Sequence, residues 1–478
     1  MKDTTPSLVT FLPSTMRSMN KASLQKIDVW QQKVIADENI ANSHVIVYRD
    51  GKICYDNAFG QQRGNGKPNN KNTIYRLYSM TKPIVSLALM MLFEEGKLLL
   101  SDPVHLYLGE TWKKKNMSVY KSGSFKKGWK TSTLTNTVTI KHLLTHTSGI
   151  SYAFDPLGLV SKVDEILHRG KFTPQGSKLP LVEWAKNVSK APLAFNPGDH
   201  YLYGLNTDVV GALVEVISGQ PLDEFLHERI FQPLGMVDTS FWVPEEKYDR
   251  FSSLWMPADA AAYMAATSPS SSATATATAT KKKKNVSKLK EIDFQWSPDA
   301  ATRKMTPRFI NSVHTKPVFL SGGGGLCGTA MDYAKFCEML LHGGRAPTSG
   351  QRVVSSKTIQ FMSMNHLTKN DVETDMSGMS IPGYSELTST AGVGFGLGFS
   401  VVASNALTKQ IDSVGTYSWG GAASTTFICD PKENLFVVHM TSLRFRNDMK
   451  TPLKMQLLQH VYASIDDDLS ALNMRSRI

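Results

Sequence analysis

An antiparallel sheet built from both ends of the chain and covered by terminal helices, with a largely helical domain inserted between, is the fold the sequence predicts. Residues 20–36 place Leu24, Ile27, Trp30, Val34 and Ile35 near helical spacing, and apolar runs at 44–48 and 52–55 then flank an Asp50-Gly51 turn. That is a helix followed by a β-hairpin. The other end mirrors it: 425–429, a turn over 430–434, 435–440, and a periodic helix near 451–464. Between them the chain reads as helix at 79–99, at 207–218 ended by Gly219, at 221–233, and at 329–341 ended by Gly343-Gly344. In class terms this is α+β/α, with 1–70 and 386–478 forming one discontinuous sheet domain and 71–385 the helical one. Substrate would bind where the two meet.

The stretch from about 258 to 290 holds serines, an alternating Ala-Thr tract and four lysines, buries no apolar surface, and is expected to be a disordered insertion. With 478 residues and 41% hydrophobic content the rest can fill a substantial core. No run reaches the length of a membrane span, and the first twenty residues lack an apolar segment behind a basic start, so an intracellular, cytoplasmic protein is expected. Cys54, Cys327, Cys337 and Cys429 form no C-x-x-C pair and suit reduced thiols. The net charge of +12 lies largely in lysine clusters that read as solvated insertions. No zinc-finger, RNP-like or P-loop pattern accompanies them, so no nucleic-acid partner, cofactor or metal is expected. The last three residues, Ser476-Arg477-Ile478, have the small-basic-aliphatic form of a peroxisome-type address.

A serine becomes a nucleophile only when a base takes its proton and something receives the oxyanion formed on the attacked carbonyl. With Ser79 opening a helix, Lys82 lies one turn on along the same face, about 5–6 Å between Cβ atoms. Free N–H groups of a first turn favour developing negative charge. Ser18/Lys21, Ser23/Lys26, Ser118/Lys121, Ser124/Lys127 and Ser287/Lys290 share the spacing, but only Ser79/Lys82 opens a long apolar helix, 84–94. Pro83 suits a first turn. Burial there is expected to lower the lysine's pKa.

The segment IYRLYSMTKPIVSLALMMLFEEGKLLLSDPV resembles the nucleophile helix of the β-lactamase-related serine hydrolases, a group that takes in class C β-lactamases, family VIII carboxylesterases, and related peptidases and acyltransferases. The likeness continues in order through 139–150, 195–204, 219–241, 322–344, 394–401 and 418–431, spanning about 45–445 outside the basic insertions. It implies the β-lactamase/transpeptidase-like fold, Ser79 as nucleophile, Lys82 as the motif lysine, and Tyr203 as the tyrosine that shuttles the serine proton, with Tyr201 its local rival. It further implies an oxyanion hole from the backbone N–H groups of Ser79 and Ala422, and a substrate-facing strand at Trp419, Gly420 and Gly421.

Two departures matter. The lactamases carry Lys-Thr-Gly where this chain has Trp-Gly-Gly, and an asparagine two residues after the tyrosine where it has Leu205; Asn206, one further on, is the candidate substrate contact. Without that lysine no cation is offered to a β-lactam carboxylate, which points to the esterase branch. His146 is expected to be a structural, hydrogen-bonded residue, since no G-x-S-x-G elbow surrounds any serine. The expectation is thus a serine hydrolase of small-molecule esters or amides acting through acyl-Ser79. The alternatives are an acyltransferase or peptidase of the same family, or a non-catalytic scaffold that keeps the fold.

Overall fold

The computed structural model describes residues 18–37, 40–153, 161–174, 177–257, 289–291, 316–370, 372–379, 391–444 and 452–467. Its main sheet is antiparallel throughout and runs, edge to edge, Val393–Phe395, Ser400–Val402, Tyr417–Gly420, Thr426–Asp430, Leu435–Met440, Asn42–Arg49 and Lys52–Gly60. The two chain ends are zipped inside it, one strand from the Lys52–Gly60 edge, where His44 to Arg49 pair with Met440 to Leu435.

Alternation of side chains gives this sheet two different faces. Val45, Val47, Ile428 and Val437 pack with Ile27, Trp30, Leu457 and Val461 of the terminal helices Lys26–Ala36 and Leu453–Tyr462. Ile46, Tyr48, Phe427 and Val438 point the other way, into the large core shared with the helical domain. Residues 81–92 of the helix Thr81–Glu94 are buried on every side, as a helix apolar all round its circumference must be. It runs through the middle of the molecule between the sheet side and the helix Asn206–Ser218.

The expected elements recur with local changes. The helix expected at 221–233 is broken by a wider turn, His227–Phe231, between Leu222–Leu226 and Gln232–Leu234, as Pro233 cannot supply the N–H that a regular helix needs. The helical domain also contains a hairpin the periodicity did not announce, Ser118–Ser124 with Gly128–Thr133. Leu289 and Lys290 fall in the stretch expected to be disordered but form a strand, Leu289–Glu291, against Trp255–Pro257; Leu289 packs on the terminal-helix core, and that burial orders it. The rest of that insertion, and Ser476-Arg477-Ile478, lie outside the described residues. None of the described helices is long and apolar enough to cross a membrane.

Candidate active site

The strand Ile74–Arg76 leads into a single tight turn, Tyr78–Met80, and then into the buried helix. Tyr78 takes φ +46°, a left-handed conformation costly for a bulky residue, and this sharp reversal presents Ser79 at the mouth of the helix. Arg444 steadies the turn, with its guanidinium 5.0 Å from the centre of the Tyr78 ring.

Two groups converge on the Ser79 hydroxyl. Tyr203 Oη lies 2.7 Å from Ser79 Oγ, and Lys82 Nζ donates to the same oxygen at 3.2 Å. Lys82 is buried, and its ammonium also donates to the Gly323 carbonyl at 2.6 Å. The rings of Tyr203 and Tyr152 lie 4.6 and 5.1 Å from Nζ, and the two rings stack at 5.3 Å. Burial pushes the Lys82 pKa down, but the combined attraction of Tyr152, Tyr203 and Asp208 outweighs it and the net shift is upward. This corrects the expectation of a lysine whose pKa burial lowers, because its neighbours favour the charged form.

Asp208 and Tyr152 were not anticipated. Asp208, on the first turn of Asn206–Ser218, is buried and accepts from Ser321 Oγ at 2.7 Å and from the Gly323 N–H at 3.0 Å. One carboxylate thereby fixes the loop whose carbonyl anchors Lys82. A Cβ on Gly323 would come within 2.5 Å of Asp208 Oδ2, so only glycine closes this contact. Burial raises the Asp208 pKa, with Lys82, Ser321 and Gly323 pulling it back. The sequence signal was an aspartate just ahead of the apolar run 209–214, without an obvious cation beside it. Tyr152 sits in the loop after His146, and burial, partly offset by Lys82, pushes its pKa up to about 12.

His146 is buried beneath this cluster and is not hydrogen-bonded to Ser79. Its Nδ1 accepts from the Gly204 N–H at 3.2 Å and from Asn206 Nδ2 at 2.9 Å, and its ring lies 4.9 Å from that of Tyr203. Burial first, and then Lys82, hold it well below the usual histidine pKa, as a neutral acceptor. Asn206 is fully buried, with its Oδ1 accepting from Ser148 Oγ. Both ends of its amide are engaged, so the expectation of a substrate contact at Asn206 is corrected to a brace behind Tyr203. Tyr201 packs against Phe395 and Leu367 instead of reaching Ser79.

The third segment borders the nucleophile turn. The neighbouring strand pairs only as far as Ser418, so Trp419 and Gly420 have a free edge. Gly421 crosses so near the turn that a Cβ would lie 2.3 Å from the Leu77 carbonyl oxygen. Ala422 follows in an exposed turn, and among the described residues neither its N–H nor that of Ser79 is committed to a hydrogen bond. The Trp419 ring lies 5.3 Å from Tyr203 and 5.2 Å from the buried Phe395, so it is held beside Tyr203.

A two-ended sheet over a helical domain, with a serine opening the buried helix between them, is the architecture of β-lactamases and transpeptidases. A family model described as Beta-lactamase matches residues 30–461, and the chain belongs to that family. It is 29% identical over 406 residues to Protein Rv1367c of Mycobacterium tuberculosis, covering 84% of this chain and 85% of that protein. It is 27% identical over 465 residues to Esterase EstB of Burkholderia gladioli, covering 95% and 98%. Among solved structures, EstCE1, described as a hydrolase with promiscuous acyltransferase activity, superposes with a TM-score of 0.67 at 24% identity, over 92% of this chain and 99% of that one.

Proposed function

We propose that this chain is an esterase-type serine hydrolase that works through an acyl-Ser79 intermediate. The observation that carries the reading is the convergence of Tyr203 Oη and Lys82 Nζ on one serine oxygen, at 2.7 and 3.2 Å. In the reactive form the Tyr203 oxygen, deprotonated beside the Lys82 ammonium, takes the Ser79 proton as Oγ attacks the ester carbonyl. The oxyanion is received by the N–H groups of Ser79 and Ala422, both uncommitted among the described residues. Collapse breaks the ester bond, and Tyr203 returns the proton to the departing alkoxide. Water repeats the sequence on the acyl-serine and releases the acid. Lys82 keeps its charge throughout and serves as the fixed cation of the site, held by Gly323 and Asp208.

Trp419, packed against the buried Phe395, stands where lactamases carry a lysine, which supports neutral esters over β-lactam carboxylates as substrates. The long identity with Esterase EstB supports the same branch. A fluorophosphonate probe read by intact mass tests the proposal: wild type gains one label and Ser79→Ala gains none. A wild type that neither labels nor hydrolyses short p-nitrophenyl esters sinks it.

A further inference from the structure

The hairpin that the periodicity did not announce has a composition unlike the rest of the surface. From Thr111 to Ile150 the chain contains Lys113, Lys114, Lys115, Lys121, Lys126, Lys127, Lys130 and Lys141, and no aspartate or glutamate. Four of these, Lys121, Lys126, Lys127 and Lys130, lie on the arm Ser118–Ser124/Gly128–Thr133 and its turn, all exposed, and none pairs with a carboxylate among the described residues. Between them, at the tip, stand Phe125 and Trp129, 37% and 38% exposed, with rings stacked 6.1 Å apart at 20°. Across the ladder Trp129 faces Gly123, so no cross-strand side chain packs on the indole. Two large rings that could have been buried are instead held out in water and ringed by cations.

We propose that this hairpin docks the protein on an anionic phospholipid surface. Tryptophan and phenylalanine settle at the level of lipid headgroups, where one edge of the ring is apolar and the other wet, and surrounding lysines are drawn to acidic lipid. Single-stranded nucleic acid is less well matched. It needs a groove that tracks a backbone and open ring faces for its bases, whereas here a convex tip holds two rings closed on each other. The root of the arm adds a consequence. The Leu193 N–H donates to the Ser118 carbonyl, the Tyr120 N–H donates back to the Leu193 carbonyl, and the Ala194 N–H donates to the Gly149 carbonyl, in the loop that carries His146 and Tyr152. Docking would therefore bring the loop that walls the active site close to the lipid surface.

Flotation of the full chain with phosphatidylcholine vesicles, with and without phosphatidylserine, tests the proposal and needs no catalytic readout, so it stands or falls apart from the acyl-serine reading. Wild type is expected to float with the acidic vesicles and to release them as salt is raised. Each lysine contributes about fivefold near such a surface, so a Lys121/Lys126/Lys127/Lys130→Gln variant should bind several-hundred-fold less. Phe125→Ser with Trp129→Ser should weaken binding about tenfold, with an unchanged melting curve showing that the exposed tip is not needed for folding. The proposal is overturned if wild type floats with neither vesicle, if the variants float like wild type, or if wild type binds poly(U) and ignores acidic vesicles.

Discussion

Lys82 and Lys454 both carry their ammonium groups into the protein, one on each side of the sheet, and their surroundings push them in opposite directions. Around Lys82 stand Ser79 Oγ, the Gly323 carbonyl, two tyrosine rings and the Asp208 carboxylate, and the net shift in its pKa is upward despite burial. Lys454 reaches from the last helix to Ser418 Oγ at 2.8 Å, with Asp412 the charge that favours its protonated form, and burial prevails to lower its pKa. The two aspartates are both raised by burial but differ in their hydrogen bonds. Asp208 accepts from Ser321 and Gly323, whereas both oxygens of Asp412 are enclosed without a hydrogen-bond partner among the described residues. Asp412 is raised by burial, with Asp430 adding to the shift and Lys454 opposing it. Loss of water penalises every buried charge, and only fixed dipoles and counter-charges decide whether the charge survives.

Replacing each member of these pairs sharpens the contrast, and the largest effect belongs to the lysines. Lys82→Met should lower kcat/KM for a p-nitrophenyl ester by about a thousandfold, while Lys454→Met leaves it within a few-fold. Comparable losses in the two variants would break the distinction. Next come the tyrosines: Tyr203→Phe should cost about a hundredfold in acylation rate, and Tyr201→Phe, which removes a hydroxyl remote from Ser79, should cost little. A stopped-flow acylation burst reads both, and loss confined to Tyr201→Phe would move the proton relay.

For the aspartates, Asp208→Ala leaves the Ser321 hydroxyl and the Gly323 N–H unpaired, a loss of about 1–3 kcal/mol for each buried group. Asp208→Asn keeps an acceptor but removes the charge. It should therefore recover most of the melting temperature and little of kcat, with KM unchanged because Asp208 does not face the cleft. If Asp208→Asn restores both, its charge is irrelevant to Lys82. Asp412→Asn removes a carboxyl that the fold forces to hold its proton above the ordinary carboxylate pKa. A cost of burial that grows as pH rises from 3.8 disappears with it, so the variant's melting temperature at neutral pH should match or exceed wild type.

The smallest effect is on acid stability. Burial holds His142 near pKa 4, His439 near 3 and His146 well below 6.5. As pH falls through 6.5 the unfolded chain takes up protons that these native histidines refuse, so stability is lost from 6.5 downwards to about those values. Asp208 and Asp412, raised in the native state, act in the opposite sense as pH falls from their raised native values to 3.8. Melting curves from pH 7 to 4 should show the fall, and His439→Gln should flatten it; an unchanged slope would mean that other groups dominate.

Much of this was legible in sequence because it is written locally. Helical spacing at 20–36, the Asp50-Gly51 turn and the apolar run after Ser79 each follow from neighbours in the chain, and each recurs in the structure. Tyr203 was separable from Tyr201 only through the ordered resemblance, and the structure places its hydroxyl, and not that of Tyr201, beside Ser79. Asn206 was misjudged because one position along a helix rotates a side chain by about 100°, which turns it from the cleft to His146. Asp208 lies 126 positions from Lys82 and Gly323 a further 115, so no window of sequence could show that a carboxylate, a carbonyl and an ammonium meet.

The sequence by itself determined which serine opens a buried helix, which lysine lies one turn away, and that both chain ends build one sheet, because periodicity and spacing are properties of contiguous residues. Tertiary structure decided the charge of that lysine and the company of that serine. A pKa is set by whatever the fold brings within a few ångströms, and here that is Asp208, Tyr152 and the Gly323 carbonyl, drawn from three distant stretches of chain.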